Sequence, residues 1–217
     1  MIKLAIIGSG GHTRSSINLL LNYFDMKEIG IYDDSYDFNN PEKINSIQVI
    51  GNINNIKSTS KVFLSIGNNH IRKKYFSHFK NQLVNETIKH GSAQMEKNVS
   101  FGVANQIYAN TYINSLVYVG DNNIINSGAI IEHESSIGNH NHISIGTKIC
   151  GRCNIGNECF IGAGAILIDK LSICDKVTIG AGSVVVEDIT EPGTYVGNPA
   201  RKIKWYLFLH PVLKITI

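Results

Sequence analysis

A chain of 217 residues, 43% of them hydrophobic, can bury an ordinary core as one large domain or two small ones. Its 20 basic and 17 acidic residues leave a net charge of +3, with no block of like charges, which argues against nucleic acid as the main partner. The opening stretch from Met1 to Ile7 runs straight into a glycine-rich turn and lacks the basic flank and long apolar core of a signal peptide, so a cytoplasmic location is the default expectation.

The first half alternates strands and helices. Lys3 to Ile7 reads as a short aliphatic strand, followed by Gly8, Ser9, Gly10 and Gly11 and then a helix with Ile17, Leu20, Leu21 and Phe24 on one face. A strand from Glu28 to Tyr32 closes on Asp33 and Asp34. A third, from Lys61 to Ile66, ends at Gly67 and leads into a helix carrying Ile71, Tyr75, Phe76 and Phe79. Strand, glycine turn, helix, strand is the order of a parallel α/β unit, and this length suffices for about three or four strands. Gly8-x-Gly10 after a strand, with Asp33 where a ribose-binding acid falls, suggests a dinucleotide site, but Thr13 replaces the third glycine of that fingerprint. Arg72, Lys73 and Lys74 are expected to be solvated helix residues, with positive potential beside the site as the alternative.

The second half changes period. From Val119 to Val185, twelve consecutive aliphatic residues recur at a strict six-residue interval, and Ile107 and Ile113 extend the series backwards. An amphipathic helix cannot hold that period in phase, whereas a solenoid of short strands and turns does. Four places after the aliphatic residue the side chain is usually small, as at Ala129, Ser135, Thr147, Cys153, Cys159, Ala165 and Ser183. The Cys150–Cys153 spacing would suit zinc, but no second pair completes four ligands, and no metal is expected. Cys153 and Cys159 fit better as small buried residues in a reducing compartment. The closing segment from Trp205 to Ile217 is apolar, but His210, Pro211 and Lys214 interrupt its 13 residues, too few to span a bilayer. It is expected to pack on the protein or on a neighbouring subunit.

Hexapeptide repeats of this kind resemble the left-handed parallel β-helix of acyltransferases, in which three hexads make one triangular coil and three chains pack together. With a small Rossmann-like domain in front, the chain resembles the sugar acyltransferases of the bacillosamine N-acetyltransferase and sialic acid O-acetyltransferase type. The resemblance rests on Gly8-Ser9-Gly10-Gly11-His12, Asp33-Asp34, Ser65-Ile66-Gly67-Asn68-Asn69 through Arg72-Lys73-Lys74, Ile130-Ile131-Glu132-His133-Glu134 and Val196-Gly197-Asn198-Pro199-Ala200-Arg201. It implies a nucleotide-sugar-binding domain over 1–85, an acyltransferase β-helix over 86–204 and an apolar tail over 205–217.

The resemblance also implies roles. His133 is the general base and Glu134 raises its basicity: an amine attacking a thioester must lose a proton, which imidazole accepts near neutral pH and passes to the departing thiolate. In a flat strand neighbouring side chains point to opposite faces, so Glu134 reaches His133 only if the backbone bends there. Equivalent positions in successive coils are eighteen residues apart in sequence and roughly 4.8 Å apart in space, which sets Gly151 one coil above His133. The family uses the amide of that glycine to hold the acetyl oxygen. Contacts to acetyl-CoA fall on His142, Ala163 and Ala181, and Asn126, on the same edge, lies near the acceptor amine. In the first domain the resemblance implies a nucleotide-linked amino sugar, with Gly10, Gly11 and His12 near its phosphates, Asp33 and Asp34 near the base or ribose, and Gly67 beside them. A homotrimer with its active sites between subunits follows from the family.

The expected activity is therefore acetyl-CoA-dependent N-acetylation of the 4-amino group of a nucleotide-linked amino-deoxy sugar. Two alternatives stay open: O-acetylation of a sialic or related acid, and a non-catalytic nucleotide-binding β-helix scaffold. His133, His140 and His142 lack the spacing of the three zinc ligands that β-helical carbonic anhydrases require.

Overall fold

The computed structural model describes residues 2–37, 39 and 43–203. The apolar segment 205–217 lies outside the described residues.

The first domain holds strands β1 (Leu4–Ile7), β2 (Ile29–Tyr32), β3 (Lys43–Ile44), β4 (Ile47–Gly51) and β5 (Lys61–Leu64). Their order in the sheet is β3-β4-β2-β1-β5, so it has five strands, more than the three or four expected. β1 lies between β2 and β5 and runs parallel to both. The hairpin β3–β4 is the addition: it turns at Asn45 and Ser46, whose φ values of 46° and 71° are those of a two-residue turn matched to strand twist.

Alternation along β1 sets helices on both faces. Leu4 and Ile6 join the core that holds Ile17 and Leu20 of α1 (Gly11–Leu20), while Ala5 and Ile7 join the core beneath α2 (Asn69–His78), which holds Phe79. α1 stops at Leu20, earlier than its pattern suggested; Leu21 caps it, 36% exposed, and Phe24 reaches the core from the following turn. Glu28 belongs to a short turn of helix ahead of β2. On α2 Tyr75, Phe76 and Phe79 pack on the sheet as expected, but Ile71 is exposed and Arg72 fully buried.

From Ile88 onward two-residue strands pair in parallel with those one coil away: Tyr112–Ile113 with Ile130–Ile131, and these with Lys148–Ile149. Three sheets result, of six, five and eight strands. Every aliphatic residue of the six-residue series from Ile107 to Val185 is 3% exposed or less, and all join one continuous core. Burying each such side chain contributes about 1.5–3 kcal/mol, so the interior columns are a main source of the solenoid's cohesion, beside the backbone hydrogen bonds between coils. Ala129, Ser135, Thr147, Cys153, Cys159, Ala165 and Ser183 are buried between the columns, as their size suggested, and all four cysteines are free.

A coil turns its three corners in the left-handed region, for example at Asn122, Gly128 and Glu134, with φ of 55°, 69° and 60°. Between the eight-stranded and six-stranded sheets, that position is Gly128, Gly146, Gly164 and Gly182 in successive coils, with Asn110 below them. The eight-stranded sheet faces the first domain, and its Tyr108 and Ile124 belong to the same core as Leu4 and Ile17.

Candidate active site

His133 follows the strand Ile130–Ile131 at the edge between the six-stranded and five-stranded sheets. Glu134 adopts φ +60°, and that bend returns its carboxylate to the ring: Oε2 accepts a hydrogen bond from His133 Nδ1 at 3.0 Å. Nδ1 therefore carries the proton, and Nε2 is the basic nitrogen. Both side chains are open to solvent, at 43% and 49% exposure. Gly151 lies against the ring, as the coil spacing required, and a Cβ there would stand 2.8 Å from His133 Cε1 and 2.9 Å from Nε2. The Gly151 amide donates to no backbone carbonyl among the described residues, which leaves it free for an oxyanion.

A second group lies on another part of the coil. His142 opens a strand of the eight-stranded sheet and is buried. Its Nδ1 donates to the Gly67 carbonyl at 3.2 Å, and its Nε2 accepts from Asn126 Nδ2 at 3.3 Å, while Asn126 Oδ1 is held by the Ser127 amide. Phe160 packs edge-on against the ring and His12 lies beyond it, with centroids 5.2 and 5.9 Å away. Burial, reinforced by the positive charge of Arg72, pushes the His142 pKa down to about 3, so the ring is neutral. Ala163 and Ala181 are exposed beside Gly164 and Gly182. Asn126, Ala163 and Ala181 thus share the glycine edge with His142 on the adjoining face, whereas His133 and Gly151 occupy a different edge of the same chain.

In the first domain Gly8 links β1 to α1 with φ +107°, and any Cβ would meet the Ser65 carbonyl oxygen at 2.8 Å. Thr13, in the place of the third fingerprint glycine, donates its hydroxyl to the Gly8 carbonyl at 2.8 Å. Gly10 caps α1 with no side-chain hydrogen bond, and nothing stands within 4 Å of a Cβ built at Gly10 or Gly11, so the helix amides face open space that suits a phosphate. The carboxylates are engaged nearby. Asp33 accepts from Ser9 and Ser35, through amide and hydroxyl in each case, and Asp34 accepts from the Ile53 amide. Burial alone would raise the Asp33 pKa, and these hydrogen bonds outweigh it and hold the group below its ordinary value. His12 turns to the β-helix, its Nε2 3.2 Å from Gln106 Oε1 and 3.1 Å from the Tyr108 hydroxyl, and burial lowers its pKa to about 4.

Gly67 borders a groove of about 1120 Å³ between α2 and the eight-stranded sheet, with His142, Phe160 and Thr178 on one wall and His70, Lys73 and Lys74 on the other. Lys73 pairs with Glu158 at 2.6 Å. Arg72 is not the solvated residue that its neighbours suggested. Its guanidinium donates to the Asn122, His140 and Asn141 carbonyls of the β-helix, to the Ile66 and Gly67 carbonyls before α2, and to Asn69 Oδ1. Coil corners end in carbonyls that need donors, and a planar fork of five N–H groups supplies them. Among the described residues, no group of three or more His, Cys, Asp or Glu side chains is arranged to hold a metal, and no helix is long and apolar enough to cross a membrane.

Residues 3–79 match the model of the PglD N-terminal domain family. Among solved structures, the acetyltransferase domain of PglB from Neisseria gonorrhoeae is 27% identical, with 94% of this chain and 100% of that one covered and a TM-score of 0.84. The same domain in complex with acetyl coenzyme A matches at 0.83. A histidine-to-asparagine variant of perosamine N-acetyltransferase from Caulobacter crescentus, in complex with CoA and GDP-perosamine, is 26% identical over 93% of this chain and 96% of that one, with a TM-score of 0.85. Comparison with curated protein sequences finds no match. With residues 3–79 matched by the PglD N-terminal model and more than nine-tenths of its length similar to an acetyltransferase domain and a perosamine N-acetyltransferase, the chain is an acetyltransferase of the kind built from a small α/β domain and a β-solenoid.

Proposed function

We propose that the protein transfers the acetyl group of acetyl-CoA to the 4-amino group of a nucleotide-linked amino-deoxy sugar, in the cytoplasm, for surface polysaccharide or glycan biosynthesis. The observation that carries this reading is the His133–Glu134 pair, with an uncovered Nε2 beside the free amide of Gly151. The amine nitrogen attacks the thioester carbonyl and its proton passes to His133 Nε2. The carbonyl oxygen, now negative, takes the Gly151 N–H. Collapse breaks the carbon–sulfur bond, and the same proton goes to the departing CoA thiolate, so no covalent enzyme intermediate forms. Glu134 stabilises the imidazolium that exists between these steps.

Binding follows the two domains. Residues 1–85 hold the nucleotide sugar, with the open α1 N-terminus at Gly10, Gly11 and His12 taking phosphate, and Asp33 and Asp34, with Gly67 beside them, shaping the base or ribose pocket. Residues 86–204 carry the acyl transfer, with acetyl-CoA along His142, Ala163 and Ala181 and the acceptor amine beside Asn126, whose side chain meets the His142 ring. Because His133 lies at the edge between the six-stranded and five-stranded sheets and His142 on the eight-stranded sheet of the same chain, we assign the active site to the junction of two subunits in a homotrimer. Support for the acceptor comes from the perosamine N-acetyltransferase, solved with CoA and GDP-perosamine, and for the donor from PglB, solved with acetyl coenzyme A.

The test is release of free thiol from acetyl-CoA in the presence of UDP-, dTDP- or GDP-linked 4-amino-6-deoxy sugars. At least one should support steady turnover, with the product heavier by one acetyl group on nitrogen. Turnover with none of them, alongside turnover with a sialic acid, would replace this reading by O-acetylation.

A further inference from the structure

Resting on the amine-acetylation reading, we infer that Arg72 is a positioning residue for that reaction: by gripping the carbonyls on either side of His142 it holds the ring as the Nδ1–H tautomer, so that Nε2 is a standing hydrogen-bond acceptor beside the acceptor amine. Arg72 sits entirely out of solvent in the seam between α2 and the β-helix. Of its six acceptors, two bracket one side chain. The Asn141 carbonyl, 2.9 Å from Nη2, belongs to the peptide just before His142. The Gly67 carbonyl, 3.3 Å from Nη1, is the oxygen that faces His142 Nδ1. A carbonyl only accepts, so Nδ1 must bear the hydrogen and Nε2 must not. On the far side of the ring the amide of Asn126 agrees, since its Oδ1 is taken by the Ser127 N–H and its Nδ2 is left to donate to Nε2.

The charge of Arg72 adds to the geometry. No carboxylate forms an ion pair with it among the described residues, so its field is not cancelled within the seam. The titratable groups that face the His142 ring are His12 from α1 and Arg72 from α2, while the Lys73–Glu158 pair borders the same groove. Burial and Arg72 both oppose a second proton on the ring, which is why its pKa falls to about 3. A ring that stays neutral keeps its Nε2 lone pair for a donor, Asn126 Nδ2 in this structure and an amine N–H of the substrate in its place; a protonated one would repel the ammonium form of the substrate and offer a donor where an acceptor is needed. A plain fastener between the domains needs carbonyls at the corners, and Arg72 has those at Asn122 and His140, but it does not need the oxygen that sets one histidine's tautomer.

The experiment uses the full chain with 15N-labelled histidine and two-bond proton–nitrogen correlation spectra. In the wild type, His142 should show the Nδ1–H pattern and gain no proton from pH 8 down to about 4.5. Arg72→Lys keeps the charge and loses the fork. It should fold with an unchanged circular dichroism spectrum, show His142 in mixed tautomers, and lose about tenfold or more in kcat. Should that variant not fold, the wild-type spectrum decides. The inference is overturned by a wild-type His142 that is Nε2–H or titrates near the ordinary imidazole value. It is overturned equally by a folded Arg72→Lys that keeps full turnover, or that loses turnover with the His142 pattern unaltered. The spectrum needs no substrate, so a failure of sugar acetylation is told apart from a failure of this inference.

Discussion

His133 and Glu134 are consecutive residues whose side chains meet at 3.0 Å, because the chain enters the left-handed region at Glu134 with φ +60°. In an extended strand they would diverge to opposite faces. The corner geometry that every coil needs anyway thus doubles, at this one corner, as the device that pairs an imidazole with a carboxylate.

His133→Ala should lower kcat by about 100-fold or more, the usual loss for a general base, with little change in melting temperature because the ring lies outside the aliphatic columns. Glu134→Gln, which keeps an acceptor but removes the charge, should lose less, about tenfold. Initial-rate kinetics should be sequential for both and for the wild type. Turnover of His133→Ala near the wild-type level, or a ping-pong pattern, would remove direct attack assisted by His133.

Gly151→Ala separates an active-site glycine from an ordinary corner glycine. The new methyl would lie within 3 Å of two atoms of the His133 ring and press on the space beside the amide. The backbone torsion does not demand glycine there, since positions with positive φ are others. The expected result is a folded protein with kcat reduced by about tenfold or more. A variant with full activity would mean that neither the ring's position nor the oxyanion contact matters.

Subunit complementation tests the shared site. His133→Ala and Ala163→Trp should each be inactive, the first for want of the base and the second because the indole covers the glycine edge. The sites lie on separate edges, roughly 15–20 Å apart in one chain at the strand rise of about 3.3 Å per residue. Mixing the two under conditions of subunit exchange should restore a fraction of wild-type activity at interfaces that carry both intact edges. Exchange proven by mass without returning activity would locate the site within one chain.

Ligand-dependent melting distinguishes the first domain's partner. A nucleotide sugar should raise the melting temperature in proportion to the logarithm of its concentration above Kd, and NAD should not. The motive is Thr13, whose hydroxyl bond to Gly8 fills the space that a dinucleotide fingerprint leaves to its third glycine. Strong protection by NAD alone would reverse the assignment.

What was legible in the sequence was what repeats. The six-residue series set the columns from Ile107 to Val185, and the eighteen-residue coil set Gly151 against His133, both as observed. What escaped was what depends on one contact between distant parts. Arg72 sits in a run of basic residues that looks solvated, and only the arrival of the Asn122, His140 and Asn141 carbonyls explains its burial. The β3–β4 hairpin was missed although Asn45-Ser46 between two isoleucines is a turn signal. The buried ladder of Asn105, Asn123 and Asn141, each Oδ1 accepting the amide one coil on, shares the eighteen-residue spacing of the coil, but asparagine in a turn-rich sequence looks the same whether it is buried or solvated.

The column Gly128, Gly146, Gly164 and Gly182 has a consequence for how the protein tolerates change. Its torsion is shared with Asn122, Glu134 and many other corners that carry full side chains, and Asn110 occupies the very same column one coil below Gly128. The dihedral alone therefore does not call for glycine, and at Gly146, Gly164 and Gly182 no neighbouring atom stands within 4 Å of a Cβ to forbid a larger residue. The fold would accept asparagine at any of these corners as it does at position 110. A ladder of asparagine replacements would measure, rung by rung, how much bulk this edge tolerates before activity, rather than folding, is lost.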